Sequence, residues 1–263
     1  MTIRSPRNET LKDIRRLRRS KGDHALLEGP HLLAEALRAR LEPTTVLMSP
    51  DFLATPSGRA LQGRLPRPAL EVEAPLLASL MDADSPRGVL AVVSLPRPTV
   101  FELPPGDLYL YLDHIQDPGN LGALARVAEA AGVAGLALSP GCVHTNHPRA
   151  LRASAGSLLR LPVAADVGFA DLLHRFQAPE AAATWTALVA HGGENLYHTA
   201  LPRPVLLLLG SEGQGLEPQA EAAAHRRLTI PLAPAVESLN VSTAAAITLF
   251  ELRRRQRATG NQP

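Results

Sequence analysis

Three stretches of this 263-residue chain concentrate the side chains that could do chemistry. "DHIQDPGNLGALAR", residues 113–126, carries Asn120 and ends in Arg126. "GSEGQGLEP", residues 210–218, holds Glu212 among three glycines. "IPLAPAVESLNVS", residues 230–242, carries Ser238 and Asn240. Each ends or follows an apolar run that reads as a β-strand, and open α/β sheets bind ligands beyond the carboxyl ends of their strands. The glycines permit unusual backbone dihedrals and the close approach of a flat ligand. Arg126 is a permanent cation. Ser238 and Asn240 stand where a helix begins, so they also suit capping. Any one stretch alone reads more readily as an ordinary turn or cap. Gly122 adds a puzzle, since it lies in a helix one turn before Arg126 and costs about 1 kcal/mol relative to Ala.

Other chemistries find no residues. "GSEGQG" lacks the Lys and Ser/Thr of a phosphate-gripping Walker loop, and no G-x-G-x-x-G follows the first strand of either half. No H-E-x-x-H and no cysteine pair suggests zinc, so no metal is expected. Cys142 is the only cysteine, which rules out an intrachain disulfide and suits a reducing cytoplasm. His144 and His147 lie in a polar loop, as plain surface or as RNA contacts. No apolar run reaches the roughly 18 residues of a membrane span. The basic N-terminus has no apolar core of a secretory leader. A cytoplasmic protein without membrane partners is expected.

The net charge is only +2, so its distribution matters more than its sum. Residues 1–21 hold eight basic side chains against Glu9 and Asp13, and "LRRRQR" stands at 252–257. Codon bias could account for Arg over Lys. The clustering near both ends suits a nucleic-acid partner.

The elements that must position these residues fall into two groups. The first holds a basic helix near 8–19, strands at 25–29, 44–48 and 88–95, a short "LEV" strand, and helices at 30–41 and 75–82. It reads as a small α/β unit, residues 1–95. "PRPTVFELPPG", residues 96–106, has four prolines and no periodicity, and reads as a linker. The second group, 107–263, has strands at 108–112, 135–138, 185–190, 205–210 and 228–232. A helix follows the first of these strands, with Pro118 in its first turn and Gly132 as its stop. A long apolar helix spans 240–256. Alternating strands and helices predict a parallel α/β sheet.

Taken together, the three stretches resemble the SpoU/TrmH family of RNA ribose 2′-O-methyltransferases, of the SPOUT class. Asn120, Gly122 and Arg126 match its first motif. Gly210, Glu212, Gly213 and Gly215 match its second. Ile230, Pro231, Ser238, Leu239, Asn240, Val241 and Ser242 match its third. "RASAGSLLRLPV", residues 152–163, matches an intermediate family stretch, and the resemblance covers about 106–257. The first half looks more loosely like the family's substrate-binding domain, an α/β fold similar to some RNA-binding ribosomal proteins.

The resemblance implies a catalytic domain with a deep trefoil knot, an exception to the rule against knotted chains. It implies S-adenosylmethionine held by Leu209, Gly210, Gly213, Ile230, Pro231, Leu239 and Val241, and a homodimer packed through the C-terminal domain. Arg126, Asn120, Glu212, Ser238 and Asn240 become the catalytic set. Arg126 is often assigned in the family as the base, but Arg does not normally deprotonate. Holding the substrate phosphate and the developing alkoxide fits it better. Gly122 would then leave space above the guanidinium for a ribose or phosphate. The sulfonium is electrophilic enough to need no metal. Ribosomal RNA is the expected substrate because of the N-terminal domain. The alternatives are transfer RNA or a non-catalytic RNA-binding or assembly factor with this fold.

Overall fold

The computed structural model describes residues 2–18, 22–82, 86–95, 97–178 and 182–258. Arg19 and Lys21 of the basic segment, Pro96 of the expected linker and the side chain of Arg257 lie outside the described residues. The chain divides into two compact units, Met1–Pro96 with Asn146–Arg160, and Arg97–Thr145 with Leu161–Pro263.

The first unit is built on four strands: β1 (His24–Glu28), β2 (Pro43–Met48), β3 (Leu70–Glu71) and β4 (Val89–Ser94). Their order is β1-β4-β2-β3, with β4 antiparallel to both neighbours and β2 parallel to β3. The basic helix is Glu9–Leu17, opened by Asn8, whose side chain accepts from the Thr10 amide at 3.0 Å. Its Leu11 and Ile14 bury against Leu26, Leu47 and Leu90. Each such side chain stabilises by about 1.5–3 kcal/mol, which is why a helix so rich in charge stays docked. Two carboxylates of this unit are buried. Glu28 pairs with Arg152 and receives the Asp82 amide at 2.7 Å, and Glu35 meets Arg160 at 2.5 Å. Asn146 donates to the carbonyls of Gly22 and His24. Residues 146–160, far along the chain, are thus part of this unit's interior. The glycine in "RASAG" is required there: Gly156 has φ +95°, and a Cβ on it would lie 2.8 Å from Glu35 Cβ.

The second unit holds β5 (Leu108–Leu112), β6 (Gly135–Leu138), β7 (Val163–Ala164), β8 (Thr184–Leu188), β9 (Glu194–Asn195), β10 (Val205–Leu209) and β11 (Arg226–Thr229). They form a seven-stranded sheet in the order β7-β6-β5-β10-β8-β11-β9, parallel at every pairing. The uninterrupted apolar run Val205–Leu209 is buried throughout, as a strand covered on both faces must be. Strand β11 begins and ends earlier than expected. Ile230–Leu232 belong to the loop beyond it, since Pro231 cannot donate to a ladder. The proline-rich stretch is not featureless. Thr99 and Glu102 form a capping box around a 3₁₀ turn, and Val100 and Leu103 are buried in this unit's core. Because all strands are parallel, β5, β10 and β11 deliver the three chemistry-bearing stretches at one edge. Helices Pro118–Ala131 and Val241–Ala258 pack on each other. Among the described residues no helix is long and apolar enough to cross a membrane, and no cluster of three His, Cys, Asp or Glu could hold a metal.

Candidate functional site

The three stretches meet through one carboxylate oxygen. Glu212 Oε1 accepts from Asn120 Nδ2 at 3.1 Å, Asn240 Nδ2 at 2.5 Å and the Val241 amide at 3.3 Å. Asn240 Nδ2 also reaches Asn120 Oδ1 at 2.9 Å. Local caps fix both asparagines. Asp117 accepts from the Asn120 amide at 2.9 Å and starts the helix Pro118–Ala131, which Gly132 ends at φ +74°. Asn240 Oδ1 accepts from the Ser242 amide at 3.0 Å and the Ser242 hydroxyl at 2.5 Å, starting the last helix. The residues that begin these two helices are therefore the same ones that meet at Glu212. Glu212 Oε2 has no hydrogen-bond partner among the described residues, and the side chain is exposed.

Two cavities flank this trio. The larger, about 420 Å³, has Leu209, Gly210, Gly213, Ile230, Ser238, Leu239 and Val241 in its walls. Its apolar sides, glycine-rich loop and size suit a nucleoside-sized ligand such as S-adenosylmethionine. Pro231 is exposed and does not line it. The smaller, about 300 Å³, contains Asn120, Asp117 and His114, and shares Glu212 and Val241 with the first.

The glycine loop is a closed turn. Ser211 and Gly215 exchange backbone hydrogen bonds of 3.1 and 2.9 Å. A Cβ on Gly210 would fall 2.0 Å from the Gly215 backbone carbon. Any side chain at Gly210 would therefore strike the loop's own backbone first.

Arg126 is exposed and has no hydrogen-bond or ion-pair partner among the described residues, and it lines neither cavity. Gly122, one turn before it, is buried. Of the loop histidines, His144 faces Arg97 at 3.0 Å and His147 caps the helix Pro148–Ala153.

Sequence reasoning passed over Asp113 and His114, the first two residues beyond β5. Asp113 is fully buried and accepts from the Glu217 amide at 2.8 Å, with His114 Nδ1 at 2.9 Å. A charged residue directly after a five-residue apolar strand was the available signal. The nearby Cys142 is structural: burial pushes its thiol up, and it donates to the Leu112 carbonyl at 3.3 Å. Burial and the Asp113 charge likewise raise the Tyr111 phenol. Leu188–Ala190, at the end of β8, complete the larger cavity and were legible only as a strand.

Comparison with known proteins agrees with this geometry. Residues 107–250 match the SpoU rRNA Methylase family, and residues 8–91 match the MRM3-like substrate binding domain. An uncharacterized tRNA/rRNA methyltransferase of Synechocystis is 35% identical over 97% of this chain and 94% of its own length. The 23S rRNA (guanosine-2′-O)-methyltransferase RlmP of Bacillus subtilis is 29% identical over 95% of this chain and 98% of its own. The crystal structure of an AdoMet-bound rRNA methyltransferase from Sinorhizobium meliloti aligns with a TM-score of 0.83, at 27% identity over 97% of this chain and 98% of that one. With all three motifs joined at Glu212 and more than half its length matched, the chain belongs to the SpoU rRNA methylase family.

Proposed function

We propose that this protein transfers a methyl group from S-adenosylmethionine to a ribose 2′-hydroxyl of ribosomal RNA. The observation that carries the reading is the Asn120–Glu212–Asn240 trio standing between two adjoining cavities. The cofactor, when bound, supplies an electrophilic methyl group on a sulfonium. Leu209, Gly210, Gly213, Ile230, Leu239 and Val241 hold it, with Pro231 shaping the loop. Asn120, Glu212, Ser238 and Asn240 orient the ribose. Arg126, an exposed cation without a partner among the described residues, binds a phosphate and stabilises the developing alkoxide. Positioning supplies much of the rate.

Residues 1–95, completed by 146–160, bind the RNA, and the unit of 97–145 and 161–263 carries the reaction. The match to a substrate-binding domain over residues 8–91 favours ribosomal over transfer RNA. The protein works in the cytoplasm as a homodimer through its C-terminal domain, where Phe250 is exposed on the last helix, and that domain is a deep trefoil knot. The test is full-length protein with methyl-labelled S-adenosylmethionine and ribosomal RNA from cells lacking the gene. Label at a mapped 2′-oxygen is expected. Label in transfer RNA alone, or none, would overturn the reading. Sedimentation of the protein as a monomer would remove the dimer.

A further inference from the structure

We propose that His114 accepts the proton of the ribose 2′-hydroxyl. The inference rests on the methyl-transfer reading and deepens it, because Arg126 has no lone pair to give. His114 lines the smaller cavity together with Asn120 and Glu212. Its backbone has φ +52°, a left-handed conformation that few non-glycine residues adopt and that concentrates at functional sites. The conformation is held by its own amide, which donates to Ser139 Oγ at 3.0 Å.

The ring is fixed as firmly as the backbone. Nδ1 lies 2.9 Å from Asp113 Oδ1, and Asp113 is fully buried with its other oxygen taken by the Glu217 amide at 2.8 Å. A carboxylate in this setting accepts, so Nδ1 carries the hydrogen and neutral His114 keeps its lone pair on Nε2. Gly141 lies against the ring, where a Cβ would come 3.1 Å from Cδ2. Nε2 is 3.5 Å from Glu217 Oε1, beyond good hydrogen-bond reach. Asp117 and Glu212 are the other ionisable groups in the wall of the cavity that His114 lines, and the Cys142 thiol lies against the His114 backbone. The side chain is about one-third exposed, at 32%, so a substrate can reach it.

The step balances. The O–H bond of the 2′-hydroxyl breaks and its proton moves to Nε2. The oxygen keeps that electron pair and bonds the methyl carbon, while the carbon–sulfur pair is left on sulfur. Asp113 stabilises the positive ring that results.

The test uses the full chain with ribosomal RNA from cells lacking the gene, in single turnover across pH. Asn is the chosen replacement because it tolerates the left-handed backbone. His114→Asn is expected to slow methyl transfer by about 10²–10⁴-fold while S-adenosylhomocysteine binding, read by calorimetry, is unchanged. The wild-type rate should fall toward acid as the base takes up a proton, and that limb should vanish in the variant. Imidazole added to His114→Gly should restore part of the rate. Nitrogen NMR of the wild-type protein should find His114 as the Nδ1–H tautomer at neutral pH. An unslowed variant, a retained acid limb, no imidazole rescue, or an Nε2–H tautomer would each overturn the proposal. No 2′-O-methylation by the wild-type protein would fail the methyl-transfer reading instead, and the tautomer would still decide the role of His114.

Discussion

A Cβ placed on Gly210 would sit 2.0 Å from the backbone carbon of Gly215 and 2.3 Å from the Leu216 amide nitrogen. Those atoms belong to the turn that presents Glu212, so even the smallest side chain must push the turn away. Gly210→Ala is expected to abolish S-adenosylhomocysteine binding and to cost about 1–3 kcal/mol of stability by overpacking. Gly213, with open space where its Cβ would go, is the control, and Gly213→Ala should leave the fold intact. Calorimetry and thermal melts read both. Arg126 gives a different prediction, because it bonds to none of the described residues. If it serves as a fixed cation, Arg126→Lys keeps some single-turnover activity and Arg126→Ala loses much more, with cofactor affinity unchanged in both. Full activity in Arg126→Ala would remove it from the catalytic set. Residue types and spacing made Asn120, Glu212 and Asn240 legible as candidates. That they bond to one another was not, because strand order sets those distances. Asp113 and His114 were missed for a related reason: an adjacent Asp–His pair is common in any loop, and only burial and a positive φ distinguish this one.

At the scale of elements, one carboxylate of the last helix orders two of its arginines, one of which ties the helix to the loop after β9. Glu251 accepts from Arg254 Nε at 2.8 Å and Nη2 at 2.9 Å, and from Arg255 Nε at 2.7 Å. Arg255 then donates to the carbonyls of Leu196 and Thr199 beyond β9. Hydrogen bonds from Arg254 first, then from Arg255, hold the Glu251 carboxyl down to about 2, below its ordinary 4.5. The folded state therefore gains from ionised Glu251 fully above about pH 4.5 and loses that gain as pH falls toward 2. Glu251→Gln is expected to destabilise by about 1–3 kcal/mol at neutral pH, with the difference from wild type shrinking across that acid window. Urea melts at several pH values check it, and a pH-independent difference would mean that packing, not charge, holds the helix. The first two helices, the helix Pro118–Ala131, the last helix and the long strands were readable because their apolar periodicity is local, whereas Pro50–Leu53, Pro56–Gln62, Pro148–Ala153, Phe169–Gln177 and Pro218–Ala222 were not anticipated. The two-residue strands β7 and β9 were not, since pairing with neighbours is what defines them. The earlier end of β11 was readable in principle from Pro231.

At the scale of the whole chain, the basic helix and the buried carboxylates make separate demands on the first unit. Arg16 pairs with Asp13 at 3.2 Å, Arg18 pairs with Asp82, and Arg15 donates to the Pro6 carbonyl at 2.8 Å. Exposed pairs of this kind are worth about 0–1 kcal/mol, too little to compete with RNA phosphates. Neutralising Arg15, Arg16, Arg18 and Arg19 should weaken binding of ribosomal RNA and flatten its salt dependence, by about 0.7–0.9 in slope for each phosphate that is no longer neutralised. An unchanged slope would make the helix a solvated face.

The buried carboxylates set a limit on dividing the chain. Glu28, with a side chain only 2% exposed, pairs with Arg152, and Glu35 pairs with Arg160 as well as with Arg38 of its own helix, and Arg152 and Arg160 lie more than a hundred positions away in sequence. The matched substrate-binding segment ends at residue 91, so sequence alone presents a unit that its own first 95 residues do not complete. Removing one partner of a buried ion pair costs about 3–5 kcal/mol, because the remaining charge stays out of water. Arg152→Ala in the full chain should approach that loss, reduced by the Asp82 amide that still serves Glu28 at 2.7 Å. The amides of β1 should then exchange with deuterium faster, while those of β10 in the other unit keep their protection. A fragment of residues 1–95 lacks Arg152, Arg160 and the Asn146 side chain, and should unfold at lower urea than the same residues in the intact protein. Equal stability of fragment and intact unit would show that residues 146–160 rest on the first unit without supporting it.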